Sequence, residues 1–499
     1  MTTIEQAVKS VFQPSPQQQN FFDWIADQSG SCVLEAVAGS GKTTTLIEAL
    51  KLMEGFIFFG AYNKKIAEEI KQRAPAKDKL TISTMHAAGL RIWTKAAGQV
   101  KINSNKCRDI FRDACLRYPQ YSAYEAPVLS LVSLAKQAAI GAITPIADYS
   151  AWLNLIDHFD VDCFGEEDMV IKLARKTLER SIEADRISVD FDDMIYAPLV
   201  HKVRAFEYDW VLIDEAQDTN ASRRALALLM LKRGGRLVAV GDRHQAIYGF
   251  TGADANSLDL IAKAVDAIQM PLTVSYRCPQ KVVEYAKQFV NHIQHHESAI
   301  MGEVVNSSEP LIKIANPGDA IICRFNAPLI TNAYQFIAAG IPAKVEGRDI
   351  GNGMKNLARR WKVKTFEALQ TKLETYLDRE VAKYRAKEQE SKAVSVEDRV
   401  SCLNILIERV RATDPHPKNP VEVICSEIDK IFGEDVGSEY VLFSTIHKSK
   451  GREWNNVIWL QTGPSKWARK EWELEQENNL CYVVSTRAKV KLTLVQISK

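Results

Sequence analysis

The chain is poor in the features that mark specialised classes of protein. Its 499 residues contain nine cysteines, which are scattered and include no Cys-x-x-Cys pair. This spacing argues against a structural zinc site and favours reduced thiols in a cytosolic setting. No run is apolar over enough residues to span a membrane, and residues 1–10 lack the apolar core of a signal peptide. We therefore expect a cytoplasmic protein that does not interact with membranes.

The chain also lacks a large excess of positive or negative charge. The formal net charge is +2 and the pI is about 8.0. This balance neither requires nor excludes a nucleic-acid partner, because local basic patches make the phosphate contacts. The hydrophobic content of 46% and charged content of 25% are typical of a globular protein. A chain of this length is too long for one ordinary core, so about two to four domains are expected.

One stretch organises the rest of the chain. The sequence AVAGSGKT at 36–43 follows the apolar run 32–34 and precedes a helical pattern. Strand, glycine-bearing loop, Lys-Thr and helix together predict a phosphate-binding loop, in which backbone N–H groups and a helix N-terminus face phosphate oxygens. The alternative is an ordinary strand–helix turn. We expect the loop to comprise Ala36, Val37, Ala38, Gly39, Ser40, Gly41, Lys42, Thr43 and Thr44.

In a second stretch, WVLIDEAQD at 210–218, four apolar residues run into two adjacent acids, which predicts a buried strand that ends in charge. Burying an unpaired carboxylate is costly, so a partner is expected, and Mg²⁺ suits Asp214 and Thr43. Glu215 then orients and deprotonates the attacking water. The alternative is a solvated acidic turn. Lys42 is expected to reach the β- and γ-phosphates, and Gln245 to sense the γ-phosphate.

Strands and helices alternate, which predicts parallel sheets whose ligands lie at the carboxyl ends of the strands. Polar residues follow two such strands and could form a binding surface, and Phe250 offers a ring on which a base could stack. The alternative for each residue alone is a role in holding the fold together, such as a Phe buried in the core. The candidates are Tyr62, Asn63, Thr84, His86 and Phe250. Residues 91–185 read as a helical insertion with Trp152 and Leu116 among its predicted core residues.

A second α/β unit is expected to begin near 271, with 272–274 as its first strand. Arg277 and Arg487 are either solvated or salt-bridged arginines, or arginine fingers that neutralise transition-state charge. Residues 346–435 are charged and helical, and interrupt this unit. The basic cluster that begins at Lys355 and Arg359 is either a solvated face or a phosphate-backbone contact.

The ordered motifs resemble superfamily 1 DNA helicases of the UvrD/Rep/PcrA type. They are AVAGSGKT, AYNKK, DFDDM, VLIDEAQD, VGDRHQAIYGFTGA, SYR, STIHKSKGREW and YVVSTRAK. The stretch that begins AYNKK is also similar to the F-box DNA helicase subgroup. The resemblance implies an α/β fold of two RecA-like P-loop domains with parallel sheets, each interrupted by a mainly helical insertion. The implied segments are 1–90, 91–185, 186–270, 271–345, 346–435 and 436–499.

The resemblance also implies residue roles. Gln18 reads adenine, Tyr276 stacks on it, Glu453 contacts the ribose and Gly451 lies beside the nucleotide. Lys42, Gln245, Arg277 and Arg487 surround the phosphates, with Mg²⁺ on Thr43 and Asp214. The implied DNA contacts are Tyr62, Asn63, Thr84, His86, Tyr248 and Phe250. Three stretches depart from the family pattern: Thr44 stands where the family often has Arg, Phe250-Thr251 where it usually has Trp-Arg, and Asn478-Asn479 where it commonly has Arg-Arg.

We therefore predict an ATP- and Mg²⁺-dependent helicase that moves 3′→5′ on single-stranded DNA and unwinds duplex during replication, repair or recombination. The expected partners are single-stranded DNA, single-strand/duplex junctions and replication or repair proteins, and the expected state is a monomer. Its place is expected to be near the nucleoid in a bacterial or phage setting and the nucleus in a eukaryote. The alternative is a DNA-stimulated ATPase that displaces nucleoprotein complexes without unwinding; RNA as substrate is a third possibility.

Overall fold

The fold is described from a computed structural model. It describes residues 12–159, 161–163, 165–247, 256–346, 348–386, 390–432, 439–462 and 471–497. The chain divides into two compact units, Met1–Leu272 (unit 1) and Thr273–Lys499 (unit 2). Within the described ranges, no helix combines the length and the apolarity that crossing a membrane requires.

Unit 1 alternates strands and helices. Its strands are β1 Cys32–Ala36, β2 Ile57–Ala61, β3 Leu80–Thr84, β4 Lys101–Ile102, β5 Ser188–Val189, β6 Tyr208–Ile213, β7 Leu231–Gly241 and β8 Ile268–Leu272. Its helices are α1 Pro16–Asp27, α2 Lys42–Ala49, α3 Lys64–Arg73, α4 Met85–Ala97, α5 Lys106–Arg117, α6 Glu125–Gln137, α7 Tyr149–Phe159, α8 Glu167–Glu183, α9 Asp193–Val200, α10 Ala221–Met230 and α11 Ser257–Ala264. Short 3₁₀ turns lie at Pro119–Tyr124, Ala216–Asp218 and Arg243–Gln245.

The main sheet of unit 1 has six parallel strands in the order β3-β2-β6-β7-β1-β8. Neighbouring residues of a strand face opposite sides, so Phe58 packs in one core cluster and Phe59 in another. Both faces are therefore covered, as parallel sheets require. The carboxyl ends of β6, β7 and β1 lie side by side, which brings together the segments that follow them.

Strand β8 corrects one prediction. Leu272 was expected to open the second unit, but Ile268–Leu272 pairs with β1 at the edge of the first sheet. The strand contains Pro271, which has no N–H to donate, and such a residue is tolerated at an edge. The strand sequence IQMPL mixes apolar residues with a glutamine and a proline, so it shows no clear strand pattern.

The helical insertion of unit 1 has its own core. Trp152, Leu131 and Leu178 are buried in a cluster formed by α5 to α8. Leu116 was predicted to join that core, and this was wrong, since it is 81% exposed. Phe111 is buried on the same helix, and five residues of α-helix turn the side-chain direction by about 140°. Leu116 therefore faces away from the core.

Unit 2 contains a second six-stranded parallel sheet, in the order β11-β16-β15-β12-β14-β13. The strands are β9 Val274–Ser275, β10 Gln294–His295, β11 Glu303–Asn306, β12 Ala320–Cys323, β13 Ala343–Val345, β14 Val441–Thr445, β15 Trp454–Gln461 and β16 Ala488–Gln496. The helices are α12 Gln280–Ala286, α13 Leu311–Ile314, α14 Asn326–Ala338, α15 Arg348–Arg359, α16 Phe366–Ala386, α17 Glu390–Thr413, α18 Pro420–Phe432, α19 Ile446–Ser449 and α20 Glu471–Ser485.

Helices α15 to α18 form the second insertion. Leu373 and Leu403 of this insertion share one buried cluster with Ile321 and Phe443 of the sheet. The insertion is therefore packed onto the sheet and is not a separate core. Two parallel α/β sheets, each interrupted by helices, confirm the predicted fold class.

Candidate active site and nucleic-acid surface

The loop between β1 and α2 has the shape of a phosphate cradle. Gly39 and Gly41 have φ of 72° and 77°, a left-handed conformation that favours glycine. Val37 N–H donates to Leu272 O at 2.9 Å, which ties the start of the loop to the end of β8. The Ser40 hydroxyl is buried and has no hydrogen-bond partner among the residues that the structure describes. A buried hydroxyl without a partner suits a site that accepts a polar ligand.

The predicted catalytic side chains meet at this loop. The Thr43 hydroxyl donates to Asp214 Oδ2 at 2.7 Å, and Lys42 Nζ lies 3.5 Å from Glu215 Oε1. Burial raises the pKa of Asp214 to about 6, and the charge of Glu215 adds to the shift. The Thr43 hydroxyl and the Asp214 carboxylate are hard oxygen donors of the kind that Mg²⁺ prefers. Lys42 and Glu215 stand beside them.

Gln245 lies at the end of the neighbouring strand. Its Nε2 donates to Asp242 Oδ2 at 2.7 Å, and both side chains are buried. Burial raises the pKa of Asp242. Because β7 lies between β6 and β1 in the sheet, Gln245 follows the strand next to both the Asp214 segment and the phosphate loop. This placement suits a residue that senses phosphate.

Two side chains flank the loop with their polar groups already engaged. Gln18 Nε2 donates to Thr45 Oγ1 at 2.7 Å, and its Oε1 accepts from Ser15 N–H at the N-terminus of α1. A contact between Gln18 and adenine would have to replace these bonds, so that role stays a prediction. Thr44 accepts a hydrogen bond from Arg73 of α3 at 2.7 Å. An arginine therefore does reach the Thr44 position, from another helix.

The predicted nucleotide residues of unit 2 are held by local partners. Arg277 pairs with Glu453, and Lys489 lies 3.6 Å from the same carboxylate. Arg487 is only 1% exposed, and its guanidinium donates to Val483 O at 2.8 Å and Arg452 O at 3.2 Å.

The ring of Tyr276 is partly exposed and lies 4.8 Å from that of His296. Gly451 has φ of 79°, which explains a glycine there.

The predicted DNA contacts at the carboxyl ends of β2 and β3 divide into two kinds. Asn63 and Thr84 cap helices, since their side-chain oxygens accept from Ile66 N–H and Ala87 N–H. Tyr62 is exposed, and burial of its hydroxyl region raises its pKa to about 12, so it remains protonated. Burial and Arg223 lower the pKa of His86 to about 4, so its ring is neutral at pH 7. Tyr248 and Phe250 lie outside the described residues.

Sequence reasoning missed two residues of this region. Phe191, 60% exposed, stacks on His86 with ring centroids 3.9 Å apart and an interplanar angle of 25°. It occurs in the DFDDM motif, so its exposed ring could have been suspected from its acidic neighbours. Gln217 is buried between Glu215 and Asp242 and contacts both. Only its spacing two residues after Glu215 hinted at this.

The basic cluster near the start of the second insertion is partly neutralised. Lys355 Nζ lies 2.7 Å from Asp429, and Arg359 lies 2.6 Å from Glu422. These pairs favour the interpretation of a solvated charged face over that of a phosphate-backbone contact.

The fold and site together define a P-loop nucleotide-binding protein with two parallel α/β units. Two family models match the chain: the UvrD/REP helicase N-terminal domain at residues 16–266, and the UvrD-like helicase C-terminal domain at residues 354–499. The chain therefore belongs to the UvrD/REP helicase family, a group of superfamily 1A helicases, as the motif resemblance predicted.

Individual relatives agree with this assignment. The chain is 26% identical over 345 residues to ATP-dependent DNA helicase Rep of Escherichia coli, covering 64% of this chain and 50% of Rep. It is 25% identical over 526 residues to F-box DNA helicase protein 1 of Schizosaccharomyces pombe, covering 92% of this chain and 55% of that protein. The chain is 24% identical over 310 residues to ATP-dependent DNA helicase PcrA of Bacillus subtilis, covering 56% of this chain and 39% of PcrA. The chain spans about half the length of the curated relatives it matches.

Proposed function

We propose that this protein is an ATP-dependent DNA helicase that moves 3′→5′ along single-stranded DNA and unwinds duplex, in DNA replication, repair or recombination. The observation that carries the proposal is the meeting of Lys42, Thr43, Asp214 and Glu215 at the phosphate loop. The polarity is taken from the family, and three named relatives are DNA helicases. Single-stranded DNA and single-strand/duplex junctions are the proposed substrates.

Each side chain has a defined task in ATP hydrolysis. The loop N–H groups and Lys42 bind the phosphates, and Gln245 senses the γ-phosphate. Glu215 orients a water and accepts its proton as the water oxygen attacks the γ-phosphorus, while the bond from that phosphorus to the β,γ-bridging oxygen breaks and ADP leaves. Thr43 and Asp214 would hold Mg²⁺, which, when bound, neutralises phosphate charge. Lys42 Nζ lies 3.5 Å from Glu215 Oε1, so the lysine that binds the phosphates also adjoins the proposed base.

Arg277 and Arg487 of unit 2 are proposed to take part in hydrolysis as well. Both are now bound to groups of unit 2, so each must exchange those partners to bind a phosphate. This exchange makes hydrolysis conditional on a change within unit 2. The proposed adenine and ribose contacts are those of Gln18, Tyr276 and Glu453.

The proposed DNA surface lies beyond β2 and β3. Tyr62 and the Phe191–His86 stack present aromatic faces, which bind bases without regard to sequence. Tyr62, His86, Asp214 and Glu215 line one small cavity of about 20 Å³. The DNA surface and the hydrolytic carboxylates are therefore near neighbours, which supports coupling of DNA binding to ATP turnover.

The first test is steady-state ATPase activity with and without single-stranded DNA, for the wild type beside Glu215→Gln. We expect strong stimulation by DNA in the wild type and a loss of about 100-fold or more in Glu215→Gln. Unwinding of duplexes with 3′ and 5′ tails then tests polarity. Stimulation by RNA or by a protein, with none by DNA, would contradict the proposed substrate.

The second candidate function is a DNA-stimulated ATPase that displaces bound proteins without separating strands. The group of Lys42, Thr43, Asp214 and Glu215 supports ATP hydrolysis in both candidate functions, so it does not distinguish them. Displacement of a bound protein from DNA, measured together with the absence of unwinding on both tailed duplexes, would favour this candidate.

A further inference from the structure

Gln217 is a buried side chain with both ends of its amide committed. It is 1% exposed. Its Nε2 donates to Glu215 Oε2 at 2.5 Å, and its Oε1 accepts from Asp242 N–H at 3.0 Å. If the amide were reversed, its NH₂ group would face the Asp242 N–H and its oxygen would face the Glu215 carboxylate, and neither pair could form a hydrogen bond. The two partners therefore fix a single orientation of this side chain.

Gly241 leaves room for this amide. A Cβ at position 241 would lie 2.6 Å from Gln217 Oε1 and 3.0 Å from Gln217 N. Gly241 does not have a positive φ, so its backbone conformation alone does not require glycine. The approach of Gln217 Oε1 is the closest contact that excludes a side chain at the end of β7, and Leu258 Cδ2 would lie 3.0 Å away.

The bond to Glu215 matters because the backbone there is strained. Glu215 has φ of 53°, a left-handed conformation that non-glycine residues rarely adopt. Its carboxylate is placed by the Gln217 amide on one side and by Lys42 on the other. Asp242, which anchors the far end of Gln217, also accepts from Gln245. One series of hydrogen bonds thus runs from Glu215 through Gln217 and Asp242 to Gln245.

We propose that Gln217 is a positioning residue for ATP hydrolysis, which holds the Glu215 carboxylate in place and links it to the Gln245 segment. The proposal rests on the proposed function, in which Glu215 is the base. Gln217 acts through Glu215 and does not itself touch the reacting atoms. Loss of the amide should leave nucleotide binding intact and slow the chemical step.

The direct test is Gln217→Met, which keeps the length and volume of the side chain and removes both hydrogen bonds. We expect kcat of the DNA-stimulated ATPase to fall about 100-fold, because a misplaced catalytic group loses about that factor. KM for ATP and the affinity for a nonhydrolysable ATP analogue should change less than about twofold, since neither depends on the base. A purely structural role would lower binding and turnover together.

The independent test is Gly241→Ala, which displaces the Gln217 amide from the opposite side. It should reproduce the loss of kcat with unchanged KM. In the double variant the two losses should not multiply, because both act through the same amide. Gly353→Ala is the matched control, since an added Cβ there meets nothing within 4 Å, and its kcat should equal that of the wild type.

The outcomes separate the two proposals. If the wild type hydrolyses ATP and Glu215→Gln abolishes turnover, but Gln217→Met retains kcat within twofold, the positioning role is wrong and the proposed function stands. If the kcat losses of Gln217→Met and Gly241→Ala multiply in the double variant, the positioning role is also wrong. If the wild type has no ATPase activity with DNA, RNA or protein, the proposed function itself fails. Analogue binding and circular dichroism of each variant verify that it is folded.

Discussion

At the scale of single residues, His86 shows how burial sets the charge of a side chain on the proposed DNA surface. The ring stacks on Phe191 and lies near Arg223, and its pKa falls to about 4 from an ordinary value near 6.5. The unfolded chain then binds a proton between about pH 4 and 6.5 that the folded chain does not. The free energy of unfolding should therefore decrease as the pH falls through this window.

We predict that this titration is visible in stability. Between pH 7 and pH 5 the wild type should lose about 2 kcal/mol more than His86→Gln, which cannot titrate. The measurement is urea unfolding at each pH, followed by tryptophan fluorescence. Parallel pH profiles for the two proteins would show that the folded-state pKa of His86 is not lowered.

At the scale of elements, one arginine adds polar and stacking contacts to the apolar packing of helix α1 on the sheet. Arg236 of β7 lies between Trp24 and Trp210, 4.2 Å from each ring centroid. Its guanidinium also donates to the carbonyls of Gly30, Ile25 and Trp24, which end the helix or follow it. Because α1 also carries Gln18, this contact positions the proposed adenine-reading segment.

We expect Arg236→Lys to destabilise unit 1 by about 1–3 kcal/mol, since lysine keeps the charge but loses the planar fork and its stacking. Urea unfolding gives the change in free energy. Arg108→Lys, on the exposed face of α5, is the control and should change stability by less than about 0.5 kcal/mol. An unchanged midpoint for Arg236→Lys would mean that the stacking contributes nothing net.

The helical insertion of unit 1 is joined to the DFDDM segment by a buried ion cluster. Lys136 of α6 lies 2.6 Å from both Asp190 and Asp193, and Lys106 of α5 lies 2.8 Å from Asp193. Lys106, Lys136 and Asp193 are all buried. Removing one partner of such a pair leaves a carboxylate uncompensated away from water.

We therefore predict that Lys136→Ala lowers the free energy of unfolding by about 3–5 kcal/mol. Lys101→Ala, at an exposed position of β4, should have little effect. Chemical unfolding of both variants measures the difference. Because Phe191 lies between the anchored aspartates, Lys136→Ala should also weaken binding of single-stranded DNA, which fluorescence anisotropy can measure at one salt concentration.

The elements illustrate what a sequence can and cannot predict. Parallel sheets follow from apolar runs that alternate with helical patterns, and the phosphate loop from Gly39, Gly41 and Lys42 in a short spacing. The edge strand β8 and the exposure of Leu116 were missed, because both depend on which neighbour an element faces. The contacts of Gln217 with Glu215 and Asp242 depend on the pairing of β6 with β7, which no local pattern encodes.

At the scale of the whole molecule, the proposed hydrolytic residues are divided between the units. Lys42 and Glu215 belong to unit 1, and Arg277 and Arg487 to unit 2. We expect a nonhydrolysable ATP analogue with Mg²⁺ at 100 times its Kd to stabilise the protein by about 2.7 kcal/mol. Lys42→Ala should remove most of this stabilisation, because the lysine is proposed to bind the phosphates.

Hydrogen exchange can test whether unit 2 responds to the same ligand. With the analogue bound, we expect slower amide hydrogen exchange at residues 36–45 in both the wild type and Arg487→Ala. Protection at 485–488 should occur in the wild type only, if Arg487 exchanges its carbonyl partners for phosphate. Protection confined to unit 1 in both proteins would argue against a role for Arg487 in binding.

The bond between Val37 N–H and Leu272 O has a mechanical consequence. Leu272 is the last residue of unit 1, and the chain enters unit 2 at the next peptide. The start of the phosphate loop is thus hydrogen-bonded to the residue that directly precedes the crossover. A movement of the loop on binding a ligand would therefore act first on the peptide that joins the two units.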